Sequence, residues 1–363
     1  LRNFGHGFVC FGKPLNLGEV LDQLQPDWRK SITTGAEEPE RPKWLTPTVN
    51  LLANQIMYRI NDAAALNSVN LCALAILSSE QHTLPREKLV NQLNLYLNLL
   101  REVPYTTNAY VPSNDGNELW EMAKKHDKFI VESDGFGELI RLDGTTAIAM
   151  TYYRNNIIHM FIVPALLAAF ALGHKRFQSA QAEQLLSELH PLLQQELFIG
   201  HSAADMSLWV QALLEQFVHE GLLRELGQGE YHVARRDSQA YAQLVLLARS
   251  SSETAQRYAI VLELLQQAQP ISRHDLEQYA VQLAERLSAI HGINAPEFFD
   301  KKVLSTLVAT LKAEGYFNMT DGGEILADHR VGELSDEVDL LLEPAVMQTI
   351  RQSVQQLIAN ERV

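Results

Sequence analysis

The chain has 363 residues, 46% of them hydrophobic and 20% charged, which suffices for a sizeable core in two or three domains and excludes global disorder. Acidic residues outnumber basic ones 44 to 30, and a formal charge of −14 disfavours general binding to nucleic-acid phosphates. The two cysteines, Cys10 and Cys72, lie far apart without metal-ligand spacing, which fits a reducing compartment and argues against a disulfide framework or a zinc site.

The chain starts at Leu1 with no leader pattern, so the expectation is an internal piece of a longer protein. Phe8-Val9-Cys10-Phe11 reads as one β-strand ending at Gly12-Lys13-Pro14, and a lone strand needs partners from elsewhere. Residues 33–43 read as a linker. Thr46-Pro47 opens a helix, Thr as cap and Pro at its first position, carried on by Leu51, Leu52, Ile56, Met57 and Ile60. Helices are expected over Asn70–Ser78 and Leu84–Val103, and Asp115 with Glu118 forms a capping box before Leu119 and Trp120. Phe129–Val131 and Leu139–Leu142 around Gly135-Phe136-Gly137 predict a hairpin.

Met150–Leu172 is the most hydrophobic helical segment, and Ser179–Leu197, capped by Ser179, follows it. The region from Asp205 to Glu220 is helical, as are Ser252–Ala268 and Ser272–Ile290; a capping box at Asn294 to Glu297 opens the next helix. Two places look alike. A helix ends near Gly221 before a hairpin turning at Gly229, and another ends near Gly315 before a hairpin turning at Gly322-Gly323. Each reads as a winged-helix-like unit.

The candidates for chemistry are few. Gly200-His201-Ser202-Ala203-Ala204 has the outline of a nucleophile elbow, but without an alternating strand–helix pattern it reads as a helix–helix loop. His232 and Asp237 have the spacing of a general base and its orienting carboxylate, yet His232 sits on a hairpin edge and the pair reads as a chance match. On one continuous helix Tyr152, Asn155, Asn156 and His159 would form a polar stripe, with Arg154 pointing elsewhere. These five residues are read as a structural or interdomain seam. The apolar run Ile157–Leu172, followed by His174-Lys175-Arg176, falls short of the ~20 residues of a membrane span and reads as a core helix. No phosphate loop, dinucleotide fingerprint or metal-binding helix motif is present, so neither cofactor nor metal is expected.

Four longer stretches are more specific: Gly7–Pro14 (GFVCFGKP), Trp44–Asn50 (WLTPTVN), Met150–Asn156 (MTYYRNN) and Ile290–Lys301 (IHGINAPEFFDK). Together, and in this order, they resemble the bacterial membrane-bound glycerol-3-phosphate 1-O-acyltransferase family, over essentially the whole chain as its C-terminal half. The resemblance implies acyl transfer from an acyl carrier protein or coenzyme A thioester to the 1-hydroxyl of glycerol 3-phosphate, at the cytoplasmic face of the inner membrane. It also implies that the catalytic His and Asp precede Leu1, so no catalytic residue is carried onto this chain, and that Phe8–Phe11 would close an upstream catalytic sheet. The expected architecture is therefore mainly α: a helical bundle with short hairpins, in two winged-helix-like units, after one strand of an upstream α/β acyltransferase domain. Its divisions are 1–32, the linker, 44–200 and 201–363. The expected role is to pack on and support the catalytic domain. The alternative is a winged-helix module binding protein or nucleic acid.

Overall fold

The computed structural model describes residues 8–31, 41–268, 270–293 and 295–361. It opens with an N-terminal arm: α1 (Leu17–Leu24), capped by the Asn16 side chain, a 3₁₀ turn at Trp28–Ser31, and α2 (Leu45–Asp62). From Ser68 onward the chain traces one path three times: a leading helix, an extended segment, two helices, an antiparallel hairpin and a closing helix. The first pass is α3 (Ser68–Leu77), β1 (Thr83–Pro85), α4 (Arg86–Glu102), α5 (Gly116–Ala123), β2 (Ile130–Asp134), β3 (Gly137–Arg141) and α6 (Gly144–Asn155). The second is α7 (Ile158–His174), β4 (Arg176–Gln178), α8 (Ser179–Leu197), α9 (Ala203–His219), β5 (Leu223–Gly227), β6 (Glu230–Val233) and α10 (Gln239–Arg249). The third is α11 (Ser252–Gln267), α12 (Arg273–His291), α13 (Lys301–Ala313), β7 (Phe317–Met319), β8 (Ile325–Ala327) and α14 (Arg330–Leu340). A final helix, α15 (Pro344–Glu361), packs on α11 and α12.

The sheets obey the same order, β1-β3-β2 and β4-β6-β5. In the third pass the first strand shrinks to a bridge between Ser272 and Glu324, where Ile325 N donates to Ile271 O at 2.8 Å. Each pass places one buried apolar residue in this extended segment: Leu84, Phe177 and Ile271. A helix starts immediately after. Gln181 accepts from Gln178 N at 2.9 Å before α8, and Ser272 Oγ accepts from Asp275 N at 3.1 Å before α12.

The leading helices form the core. Leu71–Ile76, Met160–Ala171 and Thr254–Leu265 are buried on every side; the first two are apolar all round, whereas the third also buries Thr254, Gln256, Arg257 and Glu263. Each closing helix, α6, α10 or α14, packs on the leading helix of its own pass. No single described helix is long and apolar enough to cross a membrane, and the apolar run of α7 is interior to the protein.

Several expectations hold. The Asp115 capping box forms, with Glu118 N donating to Asp115 Oδ1 at 2.8 Å and Asp115 N to Glu118 Oε2 at 3.0 Å. The hairpin near Gly135 is β2–β3, and both later helix-then-hairpin segments are present. Others are corrected. Residues 8–16 take no regular secondary structure, so the strand at Phe8–Phe11 does not form: no described strand lies beside it to complete a ladder. The expected linker lies mostly outside the described residues, as does Asn294 of the last capping box. Helix α2 begins at Leu45, and Pro47 fits its first turn because N–H groups there have no intrahelical partner. The helix expected from Leu84 starts at Arg86, since Leu84 pairs with Ile140 in a sheet. Gln178, not Ser179, occupies the cap position of α8. Helices α8 and α9, on either side of residue 200, pack on each other within the second pass.

Candidate functional site

The Met150–Leu172 segment is not one helix. It breaks after Asn155, and α6 and α7 meet at 96°. Asn156 caps α6, Ile157 N donates to Arg154 O, and Met160 N donates to Ile157 O. Asparagine competes with the helix for its own backbone groups, so two in succession favour a stop here. The break separates the five seam residues. Tyr152 and Asn156 face solvent, with the Tyr152 ring edge-on to Tyr153 at 5.9 Å. Arg154, at 7% exposure, turns into the protein with Asn155 at its side, while His159 enters a different junction.

Arg154 is the centre of the first junction. Its Nη1 donates to Glu253 Oε1 at 2.8 Å, its Nη2 to Glu297 Oε1 at 2.6 Å, and its Nε to Asn155 Oδ1 at 3.1 Å. Asn155 Nδ2 donates to the same Glu297 oxygen at 2.8 Å. One guanidinium thus ties the end of α6 to the start of α11 and to the 3₁₀ turn Pro296–Phe299. Burial pushes the Glu253 carboxyl up, but Arg154, Arg257 and His82 together hold it below the usual carboxylate range. The same acids hold Arg154 charged against its own burial.

One turn further along α11, Arg257 pairs with Glu196 of α8, and its Nη2 also donates to Thr254 Oγ1 at 3.0 Å. Arg257 Nε and Nη1 are buried with no hydrogen-bond partner among the described residues. The leading helix of the third pass is therefore clamped by charge to the first pass at Glu253 and to the second at Arg257. Arg154 uses both Nη groups of its fork to reach two carboxylates, whereas Arg257 meets Glu196 through Nη2 alone.

The second junction anchors the arm. His159 Nε2 is hydrogen-bonded to Asn61 O at 3.1 Å, and burial pushes the imidazole down to about 4. Asn61 Nδ2 donates to Leu197 O at 2.8 Å and Phe198 O at 3.2 Å, satisfying carbonyls that the end of α8 would leave open. Tyr105 lies edge-on to His159 and to His201, and its hydroxyl accepts from Gly200 N at 2.9 Å. His201 stacks on Trp209 at 4.0 Å, and its carbonyl is bound by His190. Desolvation raises the neighbouring Asp62 carboxyl, a rise that His201 and Arg59 oppose.

The remaining candidates are held in structural roles. Ser202 caps α9, its Oγ donating to Asp205 Oδ2 at 2.6 Å, and Phe198 before it is the left-handed end of α8 rather than a strand. His232 Nδ1 bonds Val233 O at 2.7 Å on β6, while Asp237 pairs with Arg235 at 2.7 Å. His232 and Asp237 do not engage each other. The described residues contain no cluster of three or more groups fit to hold a metal ion.

The partners of Arg154 were not legible in the sequence as a site: Glu253 reads as a helix-start acid, and Glu297 as a cap. The signal available was that Arg154, Asn155 and Glu297 fall in two of the four distinctive stretches, which the fold brings together.

Residues 1–320 match the family model for the glycerol-3-phosphate acyltransferase C-terminal region. The chain belongs to this family. It is 43% identical over 355 residues to a glycerol-3-phosphate acyltransferase of Shewanella oneidensis, and 44% identical over 355 residues to one of Shewanella putrefaciens. Each alignment covers 98% of this chain and 42% of the relative, so the chain spans less than half the length of these acyltransferases.

Proposed function

We propose that this chain is the non-catalytic C-terminal region of a glycerol-3-phosphate acyltransferase and that it packs on and supports the catalytic domain preceding it. The parent enzyme would transfer an acyl group from an acyl carrier protein or coenzyme A thioester to the 1-hydroxyl of glycerol 3-phosphate. The products are 1-acylglycerol 3-phosphate and the free thiol. It would act from the cytoplasmic face of the inner membrane, held peripherally. The observation that carries this reading is the match to a family region that is C-terminal by description, joined to the commitment of Ser202, His232 and Asp237 to caps and hairpin contacts.

The three passes support a finer reading of the architecture. Helix, strand, two helices and hairpin, with the first strand beside the last, is the winged-helix order, and we read the region as three such units. Protein packing is favoured over nucleic acid as their task, because α5 and α9, which precede the first two hairpins, carry acidic and no lysine or arginine side chains.

The deciding measurement is acyl transfer from a long-chain thioester to glycerol 3-phosphate by this chain alone, and again with the upstream half supplied. The expected result is no turnover alone and turnover on recombination. Turnover by this chain alone, abolished by Ser202→Ala or His232→Ala, would overturn the reading and place the chemistry here.

A further inference from the structure

Among the described residues, nothing covers the outer face of helix α2. It has 18 residues, and Thr48 is its one buried side chain. Val49, Ala53, Ile56, Met57 and Ile60 follow at i, i+4, i+7, i+8 and i+11, the spacing of a single apolar stripe. That stripe faces outward: Val49 is 51% exposed, Ile56 47% and Ile60 56%. In a surface helix of a folded domain the apolar stripe normally points into the core, so the orientation here is inverted.

The extended segment before α1 enlarges the same face. Gly12 lies against the Arg59 backbone, and Arg59 Nη1 donates to Lys13 O and Pro14 O at 2.8 and 2.6 Å. These bonds set Phe11, 92% exposed, beside the C-terminal half of α2, with Val9 also exposed. The base of the helix, in contrast, is fixed to the body by Asn61 and His159. The stripe is thus presented on a firm mount. Other exposed apolar side chains, such as Phe136, Leu208 and Leu326, lie on separate elements, as single surface residues ordinarily do.

We infer that the outer face of α2, with Phe11 beside it, is the surface on which the upstream catalytic portion of the same polypeptide docks. This rests on the scaffold reading above and names its contact face. The occupant follows from three observations. The relatives carry more than half their length outside the matched region, so a partner of ample size belongs to the same chain. The face lies on the N-terminal arm, which joins the three-pass body to whatever precedes it. A lipid surface fits poorly, because interfacial helices carry lysine and arginine on their polar face. Within α2 the one such residue, Arg59, has its Nη1 bound to backbone carbonyls.

The test uses the full-length enzyme in native membranes. A photo-crosslinking amino acid replaces Ile56 or Ile60, and Leu208 on α9 as control. Preparations are mixed from two isotopic labels so that contacts within one polypeptide are separated from contacts between two. The expected result is crosslinking from positions 56 and 60 to peptides upstream of Leu1 in the same polypeptide, several-fold above position 208. Adducts with lipid alone, or with a second copy alone, would overturn the assignment. Upstream crosslinks from position 208 but none from 56 or 60 would overturn this face and leave the scaffold reading standing. No crosslink between the halves from any of the three positions would overturn both.

Discussion

The Arg154 junction and the outer face of α2 treat burial in opposite ways. At the junction three charged side chains from three elements are drawn inward and matched fork to carboxylate. On α2 five apolar side chains are turned outward at a spacing that would normally define a core. Each arrangement is costly on its own terms, since buried charge must be paired and apolar surface prefers to leave water. The junction resolves its cost inside this chain. Among the described residues the α2 face does not, and the contrast separates a junction closed within the protein from an apolar face left open.

Breaking the junction gives the largest expected effect. Arg154→Met leaves the Glu253 and Glu297 carboxylates facing each other without a cation and should cost ~3–5 kcal/mol, read from urea unfolding monitored by circular dichroism. Arg154→Lys keeps the charge but loses the fork, so its loss should be smaller. Equal losses in the two variants would mean that geometry, not charge, dominates. The Arg257–Glu196 pair sharpens the point. Arg257→Met alone should be destabilising, whereas Arg257→Met with Glu196→Met should recover most of the loss, because an apolar pair of similar volume is often at least as stable as a buried ion pair.

The pH dependence comes next. His159 is held neutral, so the unfolded chain takes up a proton that the folded one refuses. Stability should fall as the pH drops from 6.5 towards 4, by up to about 3 kcal/mol from this group. Glu253 acts in the same direction: its folded carboxyl is depressed, so its contribution is present above the ordinary value of 4.5 and is lost as acid protonates it. Thermal melts between pH 7 and pH 4 should therefore show a steep loss, and His159→Asn should flatten its upper part. An unchanged slope in that variant would place the acid sensitivity elsewhere.

The smallest effect is expected from α2 within this chain. Ile56→Asp or Ile60→Asp should change its melting free energy by less than about 0.5 kcal/mol, as exposed sites do. In the full-length enzyme the same substitutions should lower both the melting temperature and acyl-transfer turnover, while Leu208→Asp changes neither. That reversal between chain and whole enzyme is the signature separating a docking face from a neutral surface.

The sequence supports much of this picture and misleads at identifiable places. Helix-to-hairpin order was legible near Gly221 and Gly315 because glycine turns and apolar periodicity mark it. The third instance, at α5–β2–β3, was legible as a hairpin but not as part of a repeat, since Thr83-Leu84-Pro85 is too short to distinguish from the helix after it. The polar stripe from Tyr152 to His159 assumed one continuous helix. Arg154, set aside as pointing elsewhere, became the centre because the break at Asn156 frees the two helices to turn.

Sequence alone determined the mainly helical class, the apolar runs that become α3 and α7, the capping box at Asp115, and the family, because each rests on near-neighbour chemistry or on an ordered run of residues. Only the tertiary structure decided that α6 and α7 are two helices, that Arg154 meets Glu253 and Glu297 across 99 and 143 residues, and that the stripe of α2 faces outward. The physical reason is that periodicity identifies which face of a helix is apolar but not what lies against it. A guanidinium likewise accepts any carboxylate that packing brings within reach.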